Sequence, residues 1–313
     1  MGRFIIRRVI QSFFLLLGIS LITFVITRLA PGGPETLIED PNVRPEYLEQ
    51  LRDRYGLNDP IPVQYGKWVI NMFQLDFGRS FEDNRPVINK IAERVPATLQ
   101  LASAGYLIGL LGIPLGIWAA RHRGRGVDNG VRIFTVIGQA IPHWWLGLMI
   151  LIFAAPLGIF PLAGMGDPNA ENQLLERLHH LLLPSIISAM SGWIVYSRYM
   201  RSAMLEVLEQ DYVRTARAKG LAERRVMNHA VRNALIPIIT VLGGSLATFF
   251  SGSVLLETVF SWPGMGRLAV DAAFKRDYPV VMALTVIVSG LVILGNLLAD
   301  IAYAYVDPRV RYK

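Results

Sequence analysis

Six stretches of the chain contain no Asp, Glu, Lys or Arg: residues 9–27, 97–120, 133–166, 178–197, 233–256 and 278–299. Crossing the hydrocarbon core of a bilayer takes about 20 apolar residues, whereas a buried helix of a soluble protein rarely needs more than about 14. Six such runs predict six transmembrane helices and an all-α membrane protein. The third run is too long for one span, so a helix over 133–155 followed by a loop broken by Pro and Gly is expected. Residues 9–27 follow Arg3, Arg7 and Arg8, the arrangement of a signal peptide. The apolar stretch is longer than the ~7–15 residues of a signal core and no small-x-small cleavage site follows, so it reads as a retained first helix.

The segments between the spans complete the organisation. Residues 1–29 form an N-terminal segment with the first span, and 30–96 a large external loop region with short helices of its own. Residues 97–305 form a five-helix core with spans at 97–120, 133–155, 178–197, 233–256 and 278–303, and 306–313 a tail. Within 30–96, residues 45–55 read as a short helix stopped by Gly56, and 65–75 as an amphipathic, aromatic-rich stretch. The connection at 199–233 predicts a helix over 204–219, a left-handed turn at Gly220, and a second helix from Ala222. Its apolar positions Val226, Met227, Ala230, Val231 and Ala234 recur at helical spacing.

Charge gives the spans an orientation. The formal charge is +7 from 31 basic and 24 acidic residues. The N-terminus, 121–132, 198–232 and the C-terminus together carry eighteen basic and seven acidic residues, and the opposite side thirteen basic and seventeen acidic. The positive-inside rule places the basic side, and both termini, in the cytoplasm. The basic pI therefore needs no nucleic acid as partner. Eight of the basic residues lie in 198–232, where an ordered helix–Gly–helix fits a docking element for a cytoplasmic protein better than a DNA reader pinned between two spans.

Chemistry is sparse. Cysteine is absent, which excludes disulfides, thiolate metal sites and cysteine nucleophiles. Gly66-Lys67 lacks the upstream glycine of a phosphate-binding loop. His179 and His180 point about 100° apart on a helix and make a poor metal pair. His143, between Pro142 and Trp144-Trp145, marks a kinked, aromatic-packed helix, with pore lining as the sharper alternative. The span interiors hold none of the midplane charges with which an ion-driven carrier binds its coupling ion, so the energy source is expected outside this chain.

The segment Asp211-Tyr212-Val213-Arg214-Thr215-Ala216-Arg217-Ala218-Lys219-Gly220-Leu221 resembles the cytoplasmic "EAA" loop of binding-protein-dependent ABC importer permeases, in the form used by the dipeptide/oligopeptide/nickel branch. The resemblance continues through Arg28-Leu29-Ala30-Pro31-Gly32, Asp76-Phe77-Gly78-Arg79-Ser80, Arg94-Val95-Pro96-Ala97-Thr98-Leu99, Glu257-Thr258-Val259-Phe260-Ser261-Trp262-Pro263-Gly264-Met265-Gly266 and Asp307-Pro308-Arg309-Val310-Arg311-Tyr312, and is closest to the "B"-type subunit. Arg214-Thr215-Ala216 stands where many permeases have Glu-Ala-Ala. The resemblance implies a type I importer permease fold in the bacterial or archaeal cytoplasmic membrane. It also implies a homologous second permease, two cytoplasmic ATPases and an external binding protein that delivers peptides. Nickel chelates, glutathione or oligosaccharides are alternative cargoes, and a stand-alone secondary carrier is the alternative of another class. The permease itself would be non-catalytic and without cofactor, with ATP and Mg held by the ATPases. Residues Arg214, Thr215, Ala216, Arg217, Ala218, Lys219, Gly220 and Leu221 would form the coupling contact, with lipid around the spans.

Overall fold

A computed structural model describes residues 2–29, 58–158 and 160–306, apart from Leu162, Pro168 and Gly252. The helix expected at 45–55 and the tail from 307 lie outside these residues. The described chain is helical, with one isolated bridge between Arg79 and Pro86.

Helix α1 (Gly2–Leu29) exposes Phe14, Ile22 and Ile26 and buries Ser20 and Phe24 on its other side. Its last turns carry the amphipathic helix α2 (Ile61–Phe73), which starts just after Pro60, with Pro62 in its first turn. The Ser20 and Tyr65 hydroxyls lie 2.9 Å apart, and the Phe24 and Tyr65 rings meet edge-on at 5.4 Å. These contacts fix α2 across α1, with the aromatic residues of α2 supplying the surface.

Helices α3 (Val87–Gly109) and α4 (Gly112–Arg121) meet at Leu110–Leu111 and together form a span of 35 residues. The third hydrophobic run is not one helix. It is α5 (Gly126–Ala140) and α6 (His143–Ala154), bent by 95° at Ile141–Pro142. Proline lacks the donor that would continue the ladder, and it drives the preceding residue into the extended region found at Ile141. Helix α7 (Gln173–Leu208) is 36 residues long and capped by Asn172, whose side chain accepts from the Leu175 amide at 3.0 Å. The remaining helices are α8 (Asp211–Ala218), α9 (Glu223–Ser251), α10 (Val254–Val259), α11 (Met265–Phe274) and α12 (Tyr278–Val306). Among the described residues, five helical segments are long and apolar enough to cross a membrane, and the α5–α6 pair brings the number to six if it counts as one broken span.

Helix α7 is the axle of the bundle, packed by α3, α4, α5, α6 and α9. Its seam with α3 and α4 is built from glycines. A β-carbon on Gly105 would lie 2.5 Å from the Ser188 hydroxyl, one on Gly192 would lie 2.8 Å from Gly109 Cα, and one on Gly116 would lie 2.5 Å from the Ser197 carbonyl. Small residues let the two backbones touch, the packing that replaces the hydrophobic effect where the surroundings are lipid. The Trp193 indole closes the seam by donating to the Ile108 carbonyl at 2.7 Å.

At one end of the bundle, the 76–90 segment is tied to the start of α12. Lys90 Nζ lies 3.8 Å from the Asp277 carboxylate and 3.0 Å from that of Asp83, and Asp277 accepts from the Ser80 hydroxyl and, at 3.0 Å, from the Phe81 amide. Helix α3 starts at this end and α12 runs away from it. The α4–α5 turn and α8 therefore lie at the opposite, arginine-rich end. There Ala120, Met200, Met204, Ala230, Ala234 and Ile238 share one core.

Candidate functional site

The segment singled out at 211–221 stands at the arginine-rich end. The expected helix over 204–219 is two helices: α7 stops at Leu208, and α8 starts again after Gln210, which is extended. Two residues, Glu209 and Gln210, thus turn the chain off the axis of α7. Only Val213 of α8 is fully buried, at 1% exposure, and it anchors the helix. The Tyr212 hydroxyl accepts from the Asn233 side chain at 2.7 Å, which ties α8 to α9.

The turn after α8 follows from its residues. Gly220 has φ +74°, the Leu221 amide donates to the Ala216 carbonyl at 3.2 Å, and the Gly220 amide donates to the Arg217 carbonyl at 2.9 Å. This is a Schellman motif with glycine at the position that must be left-handed. It turns the chain back into α9, whose Val226, Ala230 and Ala234 are buried.

The predicted residues share one exposed ridge, in different circumstances. Arg214, Thr215, Ala218 and Lys219 are exposed, whereas Ala216 and Leu221 are half-buried. Arg214 lies 3.6 Å from Asp211, one turn earlier on the same helix. Arg217 is committed within the chain: its guanidinium reaches the Glu223 carboxylate at 2.9 and 3.3 Å, across the glycine turn. The Glu223 carboxylate raises the already high pKa of Arg217. Between α8 and α9 lies a cavity of about 240 Å³. Val213, Ala216, Leu221 and Val226 form its apolar walls, and Lys219 and His229 its polar rim. The arrangement is a short helix standing out from the bundle, apolar inside and basic outside, with a fixed turn at its tip. Such an element can dock a partner and pass its displacement to α7 and α9.

Sequence reasoning missed the braces behind this element. Asp128, 1% exposed, takes the Arg201 guanidinium on both carboxylate oxygens and the Gly124 amide at 3.0 Å. Arg123 pairs with Glu209 at 2.6 Å, beside the α7–α8 break. Asp128 was visible as the single acid of a basic turn, but nothing in the sequence named Arg201 as its partner.

Comparison with known proteins gives this geometry its context. Residues 112–312 match the family described as "Binding-protein-dependent transport system inner membrane component", and residues 1–102 match its N-terminal companion family. The chain belongs to this family. The oligopeptide transport system permease protein AppB of Bacillus subtilis is 47% identical over 316 residues, covering 100% of both chains. A putative peptide transport system permease protein of Brucella abortus (strain 2308) is 40% identical over 315 residues, again covering 100% of each. The di/tripeptide transport system permease protein DppB of Pseudomonas aeruginosa is 39% identical over 335 residues, covering 99% of each. As a member of the binding-protein-dependent inner-membrane family, the chain is a multi-pass membrane component of a transport system.

Proposed function

We propose that the chain is the "B"-type permease subunit of an ATP-driven importer that moves peptides delivered by an external binding protein. The observation that carries this reading is the full-length likeness to the peptide permeases of three organisms, joined to an exposed basic ridge in the segment whose sequence resembles the family's coupling loop. In this reading the arginine-rich end faces the cytoplasm, and the chain pairs with a homologous permease. Two ATPases bind ATP and Mg. One of them receives the Arg214–Leu221 ridge in a groove, with Ala216 and Leu221 against its apolar floor and Arg214 and Lys219 on its polar rim. ATP-driven approach of the two ATPases then moves α8, and the core shared by α4, α7 and α9 carries that motion into the spans.

The test is reconstitution of the whole importer in proteoliposomes with its binding protein. Wild-type complex should take up labelled peptide only when ATP is supplied on the ATPase side. Gly220→Glu strains the left-handed turn and plants an acid in the ridge, so uptake and peptide-stimulated ATP hydrolysis should fall about tenfold or more while the permease still inserts. Normal uptake with ATPases still bound to the variant would remove the ridge from the coupling pathway. Absence of peptide uptake by the wild-type complex would remove the peptide reading.

A further inference from the structure

Two cavities lie along the glycine seam and share walls. One, of about 300 Å³, is bounded by Thr98, His143, Ser188, Ser191, Ser253 and Glu257. The other, of about 270 Å³, continues beside it between α3 and α7, with Tyr106, Gly109, Gly192 and Tyr196 on its walls. Ala102, Ser188 and Ser191 border both, so the two form one hollow along α7. Its combined size is that of a small-molecule site, for which about 300–1,000 Å³ is usual. The glycines that let the helices touch also keep side chains out of this hollow.

The chemistry of the walls is unusual for a bundle among lipids. Hydroxyl residues dominate the lining, with Thr98, Ser188, Ser191 and Ser253 in one cavity and Tyr106 and Tyr196 in the other, and its one acid is Glu257. Glu257 is fully buried, and its carboxylate already accepts from the Thr98 hydroxyl at 2.9 Å, the Gly266 amide at 2.7 Å and the Arg267 amide at 3.1 Å. The Ser191 hydroxyl donates to the Ser188 carbonyl at 2.9 Å, which leaves its lone pairs to accept. His143 lines this cavity, and its buried Nε2 has no hydrogen-bond partner among the described residues. An unpaired buried imidazole nitrogen is costly, and a passing hydrogen-bonding group would satisfy it. The α5–α6 break at Pro142 is what delivers it: His143 is the first residue of α6, so the 95° bend turns it out of the line of α5.

A lining of hydroxyls and imidazole both donates and accepts, and the one carboxylate in it is already engaged by Thr98 and two backbone amides. That suits a ligand whose polar groups are themselves mixed donors and acceptors, as in a run of peptide N–H and C=O groups with arbitrary side chains. We propose that this hollow is a transit site for the main chain of a peptide cargo, with His143 and Ser191 as its contacts and Glu257 as a positioning residue. Glu257 acts by holding Thr98 and the start of α11 in place. The proposal rests on the peptide-importer reading and adds where the cargo passes and which part of it is recognised.

The absence of cysteine from the chain makes the test direct. Ala102→Cys places a single thiol on the wall shared by the two cavities, at a residue that is not one of the proposed contacts. The reconstituted complex, with labelled trialanine as probe, is treated with a bulky methanethiosulfonate, and wild-type complex treated alike controls for thiols on the partners. Modification should abolish uptake by the variant while its ATPases stay bound, and excess trialanine under turnover should slow modification. His143→Ala should lower trialanine uptake about tenfold, the loss of one buried hydrogen bond. If wild-type complex imports trialanine but the introduced thiol does not react, reacts without loss of uptake, or reacts at a rate that peptide leaves unchanged, the transit site is overturned and the importer reading stands. If wild-type complex imports no peptide, the importer reading itself fails.

Discussion

At the scale of single residues, the coupling end depends on a few buried charges and turn positions. Asp128 is nearly inaccessible, and the Arg201 side chain is only 22% exposed. Deleting one partner of such a pair strands the other, which costs about 3–5 kcal/mol, whereas deleting both costs less. Asp128→Ala should therefore destabilise the permease by about 3 kcal/mol, less whatever water reaches the arginine. Adding Arg201→Ala should recover part of the loss. Thermal melts of the four proteins in one detergent measure this cycle, and strictly additive losses would show that the pair is not coupled. Other residue-level features lay beyond sequence reading. Gly220 was legible as a left-handed cap because glycine is the usual occupant. Ser261 (φ +49°) and Arg276 (φ +53°) close α10 and α11 in the same conformation without glycine. Their hydrogen bonds match those at Gly220: the Trp262 amide reaches the Glu257 carbonyl at 2.7 Å, and the Asp277 amide the Ala272 carbonyl at 2.8 Å. Tertiary contacts hold these turns, and such contacts leave no local mark.

Among the elements, what the bilayer demands was legible and what the neighbours decide was not. Charge-free runs mark spans because an unpaired charge in hydrocarbon is expensive. The α5–α6 break was signalled by Pro142, but its 95° angle comes from how α6 packs on α7 and α10. The break between α7 and α8 has neither Pro nor Gly; Leu208–Gln210 yields to the burial of Val213 and to the bonds that α8 makes with α9. The glycines of the seam were visible as glycines, yet nothing in sequence spacing told which helix they face. Their role gives an element-scale prediction. Gly116→Leu puts a β-carbon against the backbone of Ser197 and Arg201, and no rotamer relieves a clash between main chains. The helices must separate, at a cost of about 1–3 kcal/mol or more. Gly290→Ala in α12 meets nothing within 4 Å and should be neutral, or stabilising by up to about 1 kcal/mol through helix propensity. Comparing the melting temperatures of the two variants tests whether close approach, rather than glycine as such, is what the seam requires. Equal losses would refute it.

For the whole molecule, the two ends are built differently. The arginine-rich end carries an exposed ridge over a small apolar core, suited to being moved. The opposite end is tied down by a charged network in which the 76–90 segment grips the start of α12 through Lys90, Asp277, Glu82 and Lys275. Under the proposed orientation this is the face that meets the binding protein. The sequence showed the charges here but not their pairing, since Glu82 and Lys275 lie far apart in the chain. The network predicts a pH dependence whose sign is fixed by its shifts. The hydrogen bond from Lys275 holds the Glu82 carboxyl below its ordinary value of 4.5, and the same contact raises Lys275 above 10.5. Glu82 thus contributes stability that is complete above pH 4.5 and is lost as pH falls through its lowered value. Lys275 contributes stability that is complete below pH 10.5 and is lost as pH climbs past its raised value. Both side chains are about half exposed, so solvent screening limits the pair to about 1 kcal/mol or less. Amide exchange in residues 80–85, corrected for the intrinsic pH effect, should show constant protection from about pH 5 to pH 10 and a drop on the acid side. Lys275→Met should lower protection at neutral pH and leave little further to lose on acidification. Because the pair is exposed, 1 M salt should mimic the variant. An acid drop of equal size in wild type and Lys275→Met would place the titrating group elsewhere.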